Sequence, residues 1–429
     1  LQREVSEVLV LDASDRPGGV MRTDHVSGYV VERGPATLQV KAPMLAALRE
    51  RGLEGALQRA RPASRHRFLL CGEDLVPLPL SPLGFARTPL LTTSGKLRLL
   101  AEPLMRRRDA RCESAAQFAE RRLGTQAAAR LVGPLLTGIY AGDESELGAE
   151  AVFGGLVELE RRYGSIALGA LLDWPARRGQ RGLPGTYSAT KGLGPFARTL
   201  AERLTEPPAL GARVEGLRRD AACWRLEVAS SAGQTQLRSA RVVLAVPAAA
   251  AARLLQEVDA RAAELLAQID YAPIVVLPLG VSRSEVRRAI EGFGFLVPRD
   301  AGRSLLGCLY LSQLFPGRAP EDHELLHCLL GGARWRGAVE EDDDALRARV
   351  LADLDAILGL AGEPLGLGIQ RWPRAIPQPD RNHVRRVAEL RARIAELPGL
   401  AAAGGWLAGV SVADSFASGQ QAGRELATL

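Results

Sequence analysis

Residues 8–12 read Val-Leu-Val-Leu-Asp, and Ala-Ser-Asp-Arg-Pro-Gly-Gly follows to residue 19. No other stretch restricts the fold as much. A short run of large aliphatic residues without polar alternation suits a strand buried on both faces, as in a parallel sheet covered by helices. The run stops on an acid, Asp12, and the chain turns at once through Gly18 and Gly19. An acid ending the second strand of a dinucleotide-binding fold accepts ribose hydroxyls, and glycines let backbone approach the cofactor. Arg16, inside the turn, is placed to meet a phosphate or a ribose. Gly-Tyr-Val-Val-Glu-Arg-Gly-Pro at residues 28–35 then alternates like a strand and stops at Gly34 and Pro35.

Such a fold also has a first strand that ends in GxGxxG and opens a helix on the pyrophosphate. GLGPFA at residues 192–197 and GFGFLV at 292–297 lack that strand-then-helix context. Residues 1–7 read as the tail of the first helix, so the expectation is a sequence that starts about 25 residues into the fold.

The rest of the chain divides by pattern. Residues 44–53 are an amphipathic helix, and residues 66–79 are a hairpin turning at Gly72–Asp74. From about Ser81 to Gly182 helix formers prevail, with basic clusters at Arg106–Arg108, Arg121–Arg122, Arg161–Arg162 and Arg177–Arg178. These clusters read either as a solvated face or as a surface that docks on anionic membrane. Strand patterns return at residues 212–230, read as strand, turn, strand; residues 239–255 read as a buried strand ending in proline and then a helix; strands dominate from Ile269 to Trp372, where one helix follows the acids of Glu340–Asp344. The chain closes with strand, glycine turn and helix. The expected class is α/β, or α+β overall. It comprises a discontinuous Rossmann-like domain (residues 1–65, 190–260 and 400–429), a mixed-sheet domain (66–81 and 261–399) and a helical insertion (82–189).

Composition narrows the partners. With 429 residues, 47% hydrophobic and 24% charged, the chain has the balance of a globular protein. The net charge of +6 fits codon usage, an anionic membrane or an acidic ligand. Aromatics are only 5% and the bases form no tract, which argues against nucleic acid. The five cysteines lack CxxC spacing, which points to a reducing compartment without a disulfide frame. His323 and His327 stand four apart, a metal-binding spacing on a helix, but no further ligand completes a site and no metal is expected.

Beyond these patterns, the chain resembles the protoporphyrinogen oxidases, which are FAD-dependent enzymes of haem synthesis related to flavin amine oxidases. The resemblance rests on VLVLDASDRPGGVMRT, ARVEGL and GVSVADSFASG, and more narrowly on HRFLLCGEDLVPLP, LTGIYAGDESELGAEAVF, IDYAPIVVLPLG, EGFGFLVP, LFPGRAP, LLGGAR and QRWPRAIPQ. It implies FAD as cofactor and a six-electron, oxygen-dependent oxidation of protoporphyrinogen IX, with hydrogen peroxide as by-product. Oxidation of coproporphyrinogen III and a flavin-free porphyrin-binding protein are the alternatives. It further implies a cytoplasmic protein held peripherally on the inner face of the cell membrane, and it is compatible with a homodimer.

The same resemblance implies site residues. Arg67 pairs with a substrate propionate, as its fork-shaped guanidinium suits. Phe315 stacks on a pyrrole, Ile274 and Ile290 sandwich the macrocycle, and Gly138 and Gly142 let backbone approach it. For FAD, Asp12 meets ribose, Arg16, Gly18 and Gly19 run along the cofactor, and Gly34 and Pro35 border the flavin. Val214 meets adenine, Trp372 packs by the flavin, and Gly409, Val410 and Val412 begin the last helix beside the ring. No side chain is assigned as catalytic; His383 and Tyr140 are general-base candidates by type alone.

Overall fold

A computed structural model describes residues 7–109, 111, 113–173, 185–220 and 223–427. Most of the sequence-predicted helix tail at 1–7, and with it Cys112, Arg177 and Arg178, lies outside the described residues.

An eight-stranded mixed sheet is the largest element. Its order runs Leu365–Gly366, Tyr271–Ser282, His323–Gly331, Leu305–Tyr310, Gly294–Leu296, Phe68–Cys71 and Asp74–Pro77, with Gln370–Pro377 also on Tyr271–Ser282. The predicted hairpin is therefore an edge of this sheet. Its first strand lies parallel to Gly294–Leu296, the parallel step in an otherwise antiparallel array. Side chains alternate between faces along a strand. Val275, Leu277, Leu279 and Val281 pack beneath the helix Asp343–Leu358, while Ala272, Ile274 and Val276 face Trp372 and Ala141 on the other side. Asp342 caps that helix through Oδ1, which accepts from the amides of Asp344 (2.9 Å) and Ala345 (3.2 Å). The acid run thus serves the helix N-terminus.

His323 and His327 lie on a strand and not on a helix. Four residues along a strand span roughly 13 Å, too far for one ion. Cys308 and Cys328 oppose each other across neighbouring strands with sulfurs 3.8 Å apart, and burial pushes the Cys308 thiol up.

A second core gathers around Trp224, Leu255, Leu266 and Leu390. It joins an antiparallel meander (Arg213–Asp220, Cys223–Ser230, Gly233–Ser239) to the helices Ala248–Leu255, Ala260–Ala267 and His383–Ala395. Two short parallel pairs flank it: Leu11–Asp12 with Ala209–Leu210, and Val242–Leu244 with Leu400–Ala402. The run at 8–12 forms ladder pairs over its last two residues only. It is also half-exposed, with Leu9 at 53%, where burial on both faces is expected. A third core packs the sheet of Leu38–Val40, Gly185–Ala189 and Leu57–Arg59 on the helices Ala42–Glu50, Leu193–Glu202 and Val412–Ala427.

Of the helical insertion expected at 82–189, helices run from Pro82 to Leu172, but Gly185–Ala189 is a strand, paired with Leu38–Val40 and Leu57–Arg59, because its backbone completes that sheet. Ser114 and Gln117 close a reciprocal cap at the start of Ala115–Leu123: Ser114 Oγ accepts from the Gln117 amide (3.1 Å), and Gln117 Oε1 accepts from the Ser114 amide (3.0 Å). One basic cluster departs from the surface reading. Arg122 is fully buried against Glu102 and Glu160, and Arg121 reaches Glu113 (2.7 Å) and Glu160 (2.6 Å). No helix among the described residues is long and apolar enough to cross a membrane.

Candidate functional site

The strand that ends at Asp12 turns under its own hydrogen bonds. Asp12 Oδ1 accepts from the amide of Ser14 (2.9 Å) and from its hydroxyl. Arg16 donates to the carbonyls of Met21 (3.1 Å) and Gly19 (2.9 Å), so its guanidinium pins the glycine turn. The two glycines differ in their use. A side chain at Gly18 (φ 107°) would meet Ala197 Cβ at 2.7 Å, whereas Gly19 (φ 57°) opens on free space. Gly19 is thus the glycine that leaves backbone accessible to a ligand, and Gly18 is small for packing.

The strand Tyr29–Glu32 feeds directly into Gly34 and Pro35, and this segment is pinned from several sides. Arg318 pairs with Glu32 (2.8 Å), Arg33 with Asp24 (2.7 Å), and Trp372 Nε1 donates to the Arg33 carbonyl (2.6 Å). A Cβ on Gly34 would fall 2.1 Å from the Val20 carbonyl, so the glycine turn and this strip are locked together. His327 lies beneath, fully buried; desolvation first, then the Arg318 and Arg33 charges, lower it to about 4 against a hydrogen bond that the ring donates to the Gly34 carbonyl. It is an uncharged imidazole at neutral pH.

Beside Trp372 the helical insertion meets the sheet. Ala141 ends the helix Gly133–Tyr140 in the left-handed region (φ 47°), and its carbonyl accepts from Ala333 N–H (2.7 Å). Gly332 packs so closely on that carbonyl that a Cβ would lie 2.4 Å from it. Gln378 donates to the Tyr140 carbonyl (2.8 Å), and Arg334 donates to Thr137 Oγ1 (3.1 Å) and the Val297 carbonyl (2.8 Å). Ile274 joins Ala141 and Trp372 in one cluster. Ala141, Gly332, Arg334 and Gln378 are the residues that sequence reasoning did not single out here. Each lies in a motif already visible in the sequence: Ala141 in LTGIYAGDESELGAEAVF, Gly332 and Arg334 in LLGGAR, and Gln378 in QRWPRAIPQ.

The structure does not gather every expected substrate contact. Ile290 packs in the core beneath Asp343–Leu358, on the face opposite to Ile274, so the two do not form a sandwich. Phe315 is 0% exposed, packed with Tyr29, Leu311 and Leu325, so its ring has no face open to a macrocycle. Gly138 and Gly142 are close to Leu296 and to Gln378 with Leu147, so protein side chains already use their small size. Arg67 stands exposed at the start of the hairpin, with its guanidinium 4.4 Å from the centre of the Phe293 ring. Desolvation lowers it, yet arginine remains charged at any physiological pH.

Val214 lines a cavity of about 1270 Å³ bordered by Leu11, Ala13 and Val243. Gly409 (φ 127°) and Val410 lead into the helix Val412–Ala427, whose first turn holds Asp414, paired with Lys41 (2.9 Å) and Ser411 (2.6 Å). Burial first, and the Asp414 carboxylate second, raise Tyr140, which keeps its proton. His383 is lowered to about 4, desolvation being the larger cause and Arg386 the next. The chemistry present fits FAD: a strand-end acid with an open glycine for ribose, a pinned backbone strip beside an indole for the flavin, and a helix N-terminus whose amides favour negative charge on a reduced ring.

Comparison with known proteins agrees with this assignment. Residues 1–427 match the family described as flavin containing amine oxidoreductase. Protoporphyrinogen oxidase 1 of Spinacia oleracea is 33% identical over 392 residues, 86% of this chain and 70% of that protein. Coproporphyrinogen III oxidase of Bacillus subtilis is 28% identical over 97% of this chain and 90% of its own length. Among solved structures, one assigned as a protoporphyrinogen oxidase from Exiguobacterium superposes with a TM-score of 0.80 at 26% identity, covering 98% of this chain and 92% of that one. A putrescine oxidase shares the fold (TM-score 0.69, 15% identity, 98% and 93% coverage). The chain belongs to the flavin-containing amine oxidoreductases and is an FAD-dependent oxidoreductase.

Proposed function

We propose that the chain oxidises protoporphyrinogen IX to protoporphyrin IX in haem synthesis, with molecular oxygen as the final acceptor and hydrogen peroxide as by-product. The 33% identity with the spinach enzyme across 86% of the chain carries this reading. FAD, when bound, supplies the redox chemistry. The residues of the chain hold and orient. Arg67 takes a propionate from solvent, its exposed guanidinium standing over the Phe293 ring. Ile274 and Trp372 form an apolar wall, and the strip at Gly34 and Pro35 fixes the plane against which the substrate lies. Coproporphyrinogen III is the second reading, favoured by the near full-length match to the Bacillus enzyme. Growth of porphyrin fluorescence with each porphyrinogen, using the FAD-loaded protein, separates the two. Growth with neither defeats both.

Arg67→Ala tests the propionate contact. A hydrogen bond to a charged group contributes about 1.5–3 kcal/mol. The substitution is expected to raise KM about 10- to 100-fold while kcat changes little. An unchanged KM removes Arg67 from the site.

We also propose three functional units: cofactor binding by residues 1–65, 190–260 and 400–429, substrate binding by 66–81 and 261–399, and membrane docking by 82–189, on the cytoplasmic face of the cell membrane. Leu97, Leu100 and Leu104 stand well exposed, Leu104 at 81%, next to the exposed Arg106–Arg108. Leucines flanked by bases suit an anionic bilayer surface. Replacing Leu100 and Leu104 by serine is expected to weaken sedimentation with phosphatidylglycerol vesicles by about tenfold or more, given about 1.5–3 kcal/mol per fully buried leucine. Equal sedimentation of the two proteins counts against this surface.

A further inference from the structure

His327 stands between Leu325 and Leu329 on one face of the strand His323–Gly331. That face carries Ile274 and looks toward Trp372, while Leu326, Cys328 and Leu330 pack on the other, beneath Asp343–Leu358. The ring is fully buried, and its Nδ1 has no hydrogen-bond partner among the described residues. The proton therefore sits on Nε2, the nitrogen that donates to the Gly34 carbonyl. The charges that face it, Arg318 and Arg33, are already matched by Glu32 (2.8 Å) and Asp24 (2.7 Å). A third cation is disfavoured there, so the imidazole stays neutral with one proton to share. Two ring N–H groups thus hold two successive carbonyls: Trp372 Nε1 takes that of Arg33 (2.6 Å) and His327 that of Gly34. The Arg33 amide is fixed as well, on the Arg22 carbonyl (2.7 Å). Gly34 has no side chain to restrict its backbone, so the direction of its carbonyl depends on an outside donor. That direction matters, because a carbonyl oxygen is partly negative and disfavours negative charge beside it.

We infer that His327 is a positioning residue for the cofactor: it turns the Gly34 carbonyl into the protein, so that the strip at Gly34 and Pro35 presents no partial negative charge to a ring that accepts electrons. The inference rests on the flavin bordering that strip. It goes beyond the oxidase reading and does not depend on which porphyrinogen is used. Leucine at this position fills the space beside Leu325 and Leu329 but leaves the carbonyl without its donor, free to turn toward the ring. Glutamine keeps the donor, since its Nε2 stands as many bonds from Cα as that of histidine.

The test is the reduction potential of bound FAD, measured by dye-linked spectrophotometric titration at neutral pH in the 429-residue chain, in His327→Leu and in His327→Gln. His327→Leu is expected to hold reduced FAD about tenfold less tightly relative to oxidised FAD, a fall of about 30 mV for a two-electron couple. His327→Gln is expected to restore most of that difference. A role in packing alone gives the reverse order, with leucine close to the parent and glutamine the more disturbed. Equal potentials for the parent and His327→Leu, or a glutamine variant as low as the leucine one, overturn the proposal. A second measurement needs neither a variant nor FAD. Nitrogen-15 NMR of the histidine-labelled parent is expected to show this imidazole protonated at Nε2 and uncharged from about pH 8 down to about pH 5. A ring here that titrates near the ordinary 6.5, or that carries its proton on Nδ1, overturns the proposal as well. Neither readout uses a porphyrinogen, so failure here and failure of the oxidase reading are distinguishable.

Discussion

Arg318→Met is expected to lower stability by about 3–5 kcal/mol, against a total of about 5–15 kcal/mol for a typical fold. Arg318 and Glu32 are both buried, joined at 2.8 Å, and Arg318 also donates to Ser188 Oγ (2.7 Å) and the Ala189 carbonyl (2.9 Å). Removing the guanidinium leaves a buried carboxylate held only by Thr23 Oγ1 (2.6 Å) and the Leu193 amide (3.0 Å). The midpoint of urea unfolding reports the loss, and retained flavin falls with it because Glu32 precedes the strip at Gly34 and Pro35. The deficit depends on pH in a defined direction. Burial holds Glu32 above its ordinary 4.5 even with Arg318 present, and Arg318 is the foremost of the groups pulling it back. Without that cation the folded carboxyl rises further. A raised carboxyl costs nothing below its unfolded value and destabilises as pH climbs through the folded value. The variant therefore differs most from the parent at neutral pH and approaches it toward pH 4.5. Adding Glu32→Leu recovers part of the loss, since an apolar pair replaces a lone charge. Equal urea midpoints for parent and Arg318→Met at pH 7 exclude this account.

Arg122→Met is expected to be of similar size, about 3–5 kcal/mol, but local. Arg122 binds the carboxylate of Glu102 and the carbonyls of Met105 (3.0 Å) and Gly164 (3.2 Å). Glu102 in turn accepts from Ser165 Oγ (2.6 Å) and the amides of Ile166 (2.9 Å) and Ala167 (3.1 Å), closing the start of the helix Ile166–Leu172. Losing Arg122 leaves Glu102 uncompensated inside the helical insertion. Hydrogen exchange is expected to quicken across residues 102–172 while the core around Trp224 keeps its protection, and vesicle sedimentation falls. Uniform quickening over the whole chain contradicts a local role.

Periodicity made most of the elements legible. The strand Tyr29–Glu32, the hairpin at 68–77, the helix after the acid run and the closing strand and helix all stand where composition and turn residues place them. What the sequence hides is which surface a side chain meets. Ile274 and Ile290 look alike as aliphatic residues in strand-rich motifs, yet one faces Trp372 and the other the helix Asp343–Leu358. Arg121–Arg122 reads as a surface cluster because Glu102 and Glu160, which neutralise it, lie far off in sequence. HELLHC has helical spacing for two histidines, but the β-pairing of the surrounding leucines decides its conformation. Ala141 lies in a visible motif, but nothing local signals its left-handed backbone, which is imposed by the contact with Gly332 and Ala333.

The parallel pairing of Phe68–Cys71 with Gly294–Leu296 has a consequence for synthesis. The hairpin that presents Arg67 emerges from the ribosome early, while the strand it docks against is made far later. At about 5–20 residues per second that delay lasts on the order of 10 s or more. During it, Leu69 and Leu70, buried in the finished sheet, have no partner strand on that side. This hairpin is thus among the last parts to be set in place. Slowing translation between these two segments is expected to lengthen the exposure of an aggregation-prone nascent edge, and trigger factor-like holdases are expected to matter more for this chain than for one whose edge hairpins pair with their neighbours in sequence.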